Sequence, residues 1–151
     1  MKRVVLVFLI LLCHASVWAE TRYISVPVAD IHKDPAAGSE QVTQGLLWEK
    51  VDVVSEKGGW SKVYMTEQYR TMKGYPGWIR SSDLRASERP SKLLMVTSAK
   101  AALHKSAEGK SPVVQTVFLG SKIPSVGEAV GDFLPVVLPG GSEKSPLFIN
   151  S

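Results

Sequence analysis

The sequence Gly74-Tyr75-Pro76-Gly77-Trp78-Ile79 carries the strongest structural signal in the chain, a turn that opens into an apolar strand. Proline fixes its own φ and biases the residue before it toward an extended conformation, while the glycine after it permits backbone geometries that a side chain would forbid. An aromatic and β-branched run at residues 60–65 precedes this turn, separated from it by the polar segment 66–73. The pattern predicts a β-hairpin with a long tip.

The amino-terminal segment has the three parts of a secretory signal peptide. Lys2-Arg3 provide a basic start, residues 4–12 form a continuous apolar run, and Val17-Trp18-Ala19 supply a cleavage pattern before Glu20. The apolar run is short for a bilayer span, so a membrane anchor is the weaker alternative. We therefore predict a cleaved signal peptide over residues 1–19 and an exported protein, in the periplasm or outside the cell, with no membrane segment after cleavage.

Cysteine content and charge exclude several classes of function. Cys13 is the only cysteine and lies inside the predicted signal peptide, so the mature chain can hold no disulfide, thiolate ligand or thiol nucleophile. Without Lys2 and Arg3, 16 basic side chains face 14 acidic ones, and the basic residues are scattered. This near balance gives no reason to expect nucleic acid as a partner.

The second half of the chain repeats the first at a shift of 72 positions. The matched pairs are His32 and His104, Ser39 and Ser111, Val42 and Val114, Leu47 and Leu119, Lys50 and Lys122, Val54 and Val126, Glu56 and Glu128, and Gly59 and Gly131. Neither copy has a convincing helix pattern, so two small all-β domains in tandem are predicted. We place the first at residues 20–85 and a polar linker at 86–92. The second occupies residues 93–151 and could be incomplete.

Small domains bury little surface, so their largest apolar side chains are expected in the core. Four aromatic residues are predicted there on this ground: Trp60, Trp78, Phe133 and Phe148.

Several segments together resemble a known bacterial family. These are Val28-Ala29-Asp30, residues 44–51, Gly59-Trp60-Ser61-Lys62-Val63 and the turn at residues 74–79. They are similar to the first bacterial SH3-like (SH3b) domain of secreted or envelope peptidases of the NlpC/p60 family. More narrowly, the chain resembles the front half of a γ-D-glutamyl-L-diamino acid endopeptidase of the dipeptidyl-peptidase VI type. The resemblance implies an all-β fold of two tandem SH3-like β-barrels.

In that family, a catalytic domain with a cysteine nucleophile and a histidine base follows the SH3-like repeats. This sequence ends at Ser151, so the resemblance implies a truncated or fragmentary member that recognises peptidoglycan stem peptides, with catalysis left to an NlpC-type domain. The absence of a thiol from the mature chain agrees with that expectation. Two alternatives remain open, a stand-alone cell-wall-binding module and an adaptor that binds another envelope protein.

The resemblance also implies that the first SH3-like domain contacts the free amino terminus of the stem peptide. Glu49 and Tyr75 match the positions associated with this contact. An α-amino group has a pKa of about 8 and prefers a carboxylate partner at neutral pH. The structural alternative is that Glu49 is a solvated turn residue and Tyr75 packs beside Pro76.

Trp48 is a third candidate, because the repeat aligns it with Gly120 at a turn. A large aromatic residue at a turn tip is often exposed and can stack on a sugar or a peptide. Packing against a neighbouring domain is the competing interpretation. His32 and His104 occupy equivalent positions, which favours a structural role. No metal-ligand spacing accompanies them, so no metal site, cofactor or catalytic residue is predicted.

Overall fold

The computed structural model describes residues 19–88 and 91–151. The predicted signal peptide lies outside the described residues except for Ala19, and the predicted linker lies partly outside them. No helix in the described part of the chain has the length and hydropathy needed to span a bilayer.

The first half forms a seven-stranded antiparallel sheet with the order β3-β2-β6-β5-β4-β1-β7. Its strands are β1 (Glu20–Ile24), β2 (Val28–His32), β3 (Gln41–Leu46), β4 (Lys50–Lys57), β5 (Trp60–Met65), β6 (Tyr75–Arg80) and β7 (Leu84–Arg85). A single 3₁₀ turn, η1 (Ser81–Asp83), leads from β6 into β7. The predicted hairpin is confirmed, since β5 pairs with β6 from Trp60 opposite Arg80 to Met65 opposite Tyr75.

The second half forms two smaller antiparallel sheets, with the orders β10-β9-β13-β12 and β11-β8. Its strands are β8 (Leu93–Met95), β9 (Lys100–His104), β10 (Val113–Phe118), β11 (Lys122–Pro124), β12 (Phe133–Val136) and β13 (Leu147–Asn150). Each half surrounds a cluster of buried apolar side chains, and the cluster of the second half also includes Leu47 and Trp48 from the first. The predicted all-β fold is therefore confirmed, and the two halves are called the first and second barrel below.

The repeat extends to individual backbone hydrogen bonds. Trp48 N donates to Ile24 O over 2.9 Å, and Gly120 N donates to Val96 O over 2.9 Å, again 72 positions later. Both turn residues have positive φ, 66° for Trp48 and 89° for Gly120. The two copies thus share one backbone geometry at this turn, although only the second has the glycine that this geometry favours.

The two histidines have equivalent structural roles. His32 Nδ1 lies 3.1 Å from the carbonyl oxygen of Ser39, and His104 Nδ1 lies 3.0 Å from that of Ser111. Each ring also meets, edge-on, the first aromatic residue of β5 or β12, with centroids 5.3 and 5.8 Å apart. Each histidine therefore fastens the loop after its strand to the barrel. No three His, Cys, Asp or Glu side chains cluster as metal ligands in residues 19–88 and 91–151.

Of the four aromatic residues predicted to lie in the core, only one is buried. Trp60 is buried, whereas Trp78, Phe133 and Phe148 are half-buried. Side chains alternate between the two faces of a strand. Because Ile79 fills the core from β6, its neighbour Trp78 must point to the opposite face.

Candidate functional site

A cleft of about 270 Å³ opens between the two barrels. We call it the interbarrel cleft. Its walls come from the turn between β3 and β4, from the loop before β6, and from the start of β11. The residues that line it are Gln44, Leu46, Leu47, Trp48, Glu49, Glu67, Gln68, Gly120 and Lys122.

Glu49 is the half-buried carboxylate of this cleft. Its Oε2 accepts a hydrogen bond from Leu46 N at 3.0 Å, and its Oε1 accepts one from Gln68 Nε2 at 2.9 Å. Gln68 is held in turn, because its Nε2 also donates to Gln44 O at 2.6 Å and its Oε1 accepts from Thr43 Oγ1 at 2.7 Å. Glu49 is therefore held in a fixed orientation, unlike a freely solvated turn residue.

Burial raises the pKa of Glu49 above its ordinary value. The hydrogen bonds from Leu46 and Gln68 and the charge of Lys122 act in the opposite direction, and the charge of Glu67 adds to the rise. Desolvation dominates because a half-buried carboxylate loses water that these donors only partly replace. A cation entering the cleft would stabilise the charged form of Glu49.

An ion pair crosses the rim of the interbarrel cleft. Lys122 Nζ, on β11, lies 2.7 Å from Glu67 Oε2 in the loop before β6. Both side chains are partly exposed, so the pair contributes at most about 1 kcal/mol to stability. Glu49 therefore has one cationic neighbour, Lys122, and one anionic neighbour, Glu67, which come from different parts of the chain.

Tyr75 does not share this cleft with Glu49. It lines a separate cavity of about 570 Å³, together with Lys33, Arg70 and Trp78. The Arg70 guanidinium lies 5.1 Å from the centre of the tyrosine ring, and its Nη1 is 3.2 Å from the hydroxyl. The structure thus separates two residues that the resemblance assigns to one contact.

The prediction that Trp48 is exposed is wrong. Its side chain has no solvent-accessible surface and lies in the core of the second barrel, where Nε1 donates to Val137 O at 2.8 Å. The Tyr23 ring packs on it with centroids 5.2 Å apart. A fully buried indole has no face on which a ligand could stack. Trp48 instead packs against the neighbouring barrel, in agreement with the competing interpretation.

Sequence reasoning missed Gln68 and Lys122, which complete the surroundings of Glu49. Gln68 gave no signal, because it is one polar residue among several in the segment before β6. Lys122 was visible as the repeat counterpart of Lys50. However, its approach to Glu67 depends on how the two barrels pack.

Comparison with known proteins agrees with this architecture. Residues 31–84 match the family model described as the bacterial dipeptidyl-peptidase Sh3 domain. The chain also superposes on the crystal structure of an NlpC/P60 family protein from Bacillus cereus, with a TM-score of 0.70 and 21% identity. That alignment covers 87% of this chain and 54% of the other, so the chain spans about half the length of that protein.

A more distant likeness is to NlpC2 from Trichomonas vaginalis, with a TM-score of 0.39, 12% identity, and coverage of 91% of this chain and 48% of that one. A similarity at that level carries no weight for the fold or the site. No curated protein sequence matches the chain. Residues 31–84 of the first barrel therefore match a bacterial dipeptidyl-peptidase SH3 domain, and the chain shares the fold of the Bacillus cereus NlpC/P60 family protein.

Proposed function

We propose that this chain is the non-catalytic, peptide-recognising region of an exported NlpC-type cell-wall endopeptidase, and that the interbarrel cleft binds the free amino terminus of a peptidoglycan stem peptide. The observation that carries this proposal is the Glu49 carboxylate, oriented by Leu46 N and Gln68 Nε2 beside the cleft. The similarity to a dipeptidyl-peptidase SH3 domain supports the choice of ligand class.

The chemistry of the cleft suits a primary ammonium group. Such a group, with a pKa of about 8, is mostly charged at neutral pH and donates up to three hydrogen bonds. A charge-assisted bond to a carboxylate contributes about 1.5–3 kcal/mol. Burial raises the pKa of Glu49 because it destabilises the charged carboxylate. A cationic partner in the cleft would stabilise that charged form.

In the complete enzyme, a separate catalytic domain of the NlpC type would cleave the bond in the stem peptide. A cysteine mechanism needs a thiolate, and Cys13 is the only cysteine in the sequence. The reaction of the complete enzyme would be hydrolysis of the γ-D-glutamyl bond to the diamino acid of the stem peptide. This chain would supply the substrate's amino-terminal contact and the location in the cell wall or periplasm.

The alternative of a protein-binding adaptor has one observation in its favour. The edge strand β10 carries exposed apolar side chains at Val113, Val114 and Phe118, followed by an exposed Leu119. Apolar side chains grouped on a surface often mark protein interfaces. Wall binding and adaptor function give different results in the following experiment.

The chain without residues 1–19 should be retained on purified peptidoglycan sacculi in a sedimentation assay. Retention should fall when free stem peptide is added, because soluble and wall-bound peptides would compete for the same cleft. A protein of similar size and charge with no wall affinity serves as the control. Retention no greater than that of the control would exclude wall binding and favour the adaptor.

Glu49→Gln should abolish the preference for stem peptides with a free amino terminus over acetylated ones, which we expect to be at least about tenfold. The affinity for the free peptide should rise with pH as Glu49 ionises, at a pH above the usual range for glutamate because its pKa is raised. It should fall again as the amine loses its proton near pH 8. Nuclear magnetic resonance titrations across this pH range measure both limbs.

Glu128→Gln is the matched control, because Glu128 is exposed and does not line the cleft. It should keep both the preference and the pH profile. If Glu49→Gln kept them as well, Glu49 would have no role in recognising the amine.

A further inference from the structure

The cavity that contains Tyr75 belongs to the first barrel, and we call it the β6 cavity. Its volume is about 570 Å³, and it shares no lining residue with the interbarrel cleft. Its walls come from the loop after β2, the start of β3, the middle of β5, the loop before β6, and β6 itself. The charged and tryptophan side chains that line it are Lys33, Asp34, Glu40, Lys62, Arg70 and Trp78.

Two cations of the β6 cavity are available to an anion. Lys62 and Arg70 are exposed, and no carboxylate oxygen among the described residues lies within 4 Å of either side-chain nitrogen. Arg70 is nevertheless positioned, because its Nη1 donates to the Tyr75 hydroxyl at 3.2 Å. Lys33 pairs with Glu40 over 3.4 Å, but both side chains are about two-thirds exposed, so this pair is weak.

Trp78 provides an aromatic wall beside these cations. It is half-buried on β6 and lies directly opposite Lys62 on β5. Residues that lie opposite each other in antiparallel strands have neighbouring side chains on the same face of the sheet. The ammonium group of Lys62 is therefore close to the indole. This combination suits a ligand ring that has an apolar face and an anionic substituent.

The acidic side chains of the β6 cavity narrow the choice of ligand. Asp34 and Glu40 come from the loop after β2, which is held by hydrogen bonds of 2.9 Å from Asp34 N to Ser39 Oγ and from Lys33 N to Glu40 O. A simple anion would be repelled by two carboxylates, whereas a ligand with hydroxyl groups could donate hydrogen bonds to them. Cations, acceptors and an aromatic surface together match a sugar that carries an acid group.

The second barrel shows that the fold does not require this set of side chains. β12 and β13 pair in the register of β5 and β6, but Pro135 lies opposite Phe148 where the first barrel has Lys62 opposite Trp78. The hairpin therefore forms without the lysine and without the indole. Strand pairing does not account for these two residues in the first barrel, and this favours a role in binding.

We propose that the β6 cavity binds an acidic saccharide, that is, a sugar ring that carries a carboxylate or a phosphate. The ring lies against Trp78, and its anionic group accepts hydrogen bonds from Lys62 and Arg70. The ring hydroxyls donate to Asp34 and Glu40. Because the β6 cavity and the interbarrel cleft have no residue in common, this site is independent of the proposed amine site.

Three monosaccharides with the same ring test which features of the ligand matter. Glucuronate carries a carboxylate, glucose 6-phosphate carries a phosphate, and glucose carries neither. In a nuclear magnetic resonance titration of the chain without residues 1–19, both acidic sugars should bind saturably and shift the amide resonances of Lys62, Arg70 and Trp78. Glucose should bind at least about tenfold more weakly, because the charge-assisted hydrogen bonds are lost. The tighter acidic sugar identifies the preferred anion.

N-acetylglycine tests the contribution of the ring, because it has a carboxylate and no sugar. It should bind at least about fivefold more weakly than glucuronate, since it cannot cover the indole or donate ring hydroxyls. Equal binding of N-acetylglycine and glucuronate would show that the cavity recognises any carboxylate, an acidic peptide included, and would overturn the proposed ligand class.

Lys62→Gln should weaken the binding of glucuronate by about fivefold through the lost charge. Trp78→Leu keeps an apolar side chain but removes the aromatic surface, and it should weaken binding by a similar factor. Lys57→Gln is the matched control, because Lys57 is an exposed lysine of β4 that does not line the cavity. It should bind as the natural chain does. Binding should also persist in Glu49→Gln, so the two proposed sites can fail independently.

Several results would overturn the proposal. They are the absence of saturable binding of both acidic sugars, equally tight binding of glucose, and unchanged affinity in Lys62→Gln. An equal loss of affinity in Lys57→Gln would also overturn it, because the attraction would then come from the overall charge of the chain and not from the β6 cavity.

Discussion

Trp48→Ala should lower the free energy of unfolding by about 3–5 kcal/mol and uncouple the two barrels. The indole belongs to the first barrel but is fully buried in the core of the second. Its removal leaves a cavity there, and Val137 O loses the hydrogen bond from Nε1. Chemical denaturation followed by circular dichroism should show two separate transitions in place of one, with the second barrel unfolding first.

Two other replacements divide this effect into its causes. Trp48→Phe keeps most of the apolar volume but removes the donor to Val137 O, which should cost about 1–3 kcal/mol. Trp48→Gly creates the full cavity but relieves a backbone with φ of 66°, so it should be less destabilising than Trp48→Ala by about 1 kcal/mol.

Trp78→Ala is the control for loss of a large aromatic residue. Trp78 is only half-buried and lies on β6, so this variant should be less destabilised and should keep coupled unfolding. If Trp48→Ala unfolded with the midpoint of the natural chain, the insertion of Trp48 would not hold the barrels together.

Gly74→Ala should destabilise the first barrel by about 2–5 kcal/mol. Two independent costs combine at this residue. Its φ of 106° is unfavourable for any residue with a Cβ, and a Cβ there would overlap the carbonyl oxygen of Met65. Backbone atoms of a paired strand cannot move aside as a flexible side chain can. The midpoint and slope of urea unfolding measure the loss.

Three other glycines separate these two costs. Gly58 has a φ of 57° in open space, so Gly58→Ala should cost about 1–2 kcal/mol from the backbone alone. A Cβ at Gly77 would overlap Ile31 Cγ2, and Gly77→Ala should cost about 1–3 kcal/mol from contact alone. Gly38 has neither problem, and its alanine variant should be neutral or slightly stabilising. A Gly74→Ala variant as stable as Gly38→Ala would contradict the geometry of this turn.

The sequence predicted the features that depend on local chemistry. Turn residues and alternating patterns located the hairpin of β5 and β6, because glycine, proline and β-branched residues act on their own backbone. The shift of 72 positions also predicted that the two histidines have equivalent roles, since equivalent residues in equivalent strands form equivalent bonds.

The features that depend on packing between distant segments could not be predicted in this way. The alignment of Trp48 with Gly120 suggested an uncrowded turn. In the structure the core of the second barrel lies beside Trp48, and no neighbouring residue in the sequence indicates this. The sequence made Glu49 a candidate, but its orientation depends on Gln68, 19 positions away in a loop without a pattern. Tyr75 was grouped with Glu49 by resemblance alone, and its strand places it in another cavity.

The contact at the turn after β3 also makes the two copies non-interchangeable. If the second barrel stood in the first position, Gly120 would replace Trp48 at the junction. The core of the neighbouring barrel would then contain a cavity the size of an indole. One side chain therefore sets the order in which the duplicated halves can be joined, because exchanging them would remove the indole that fills the core of the second barrel.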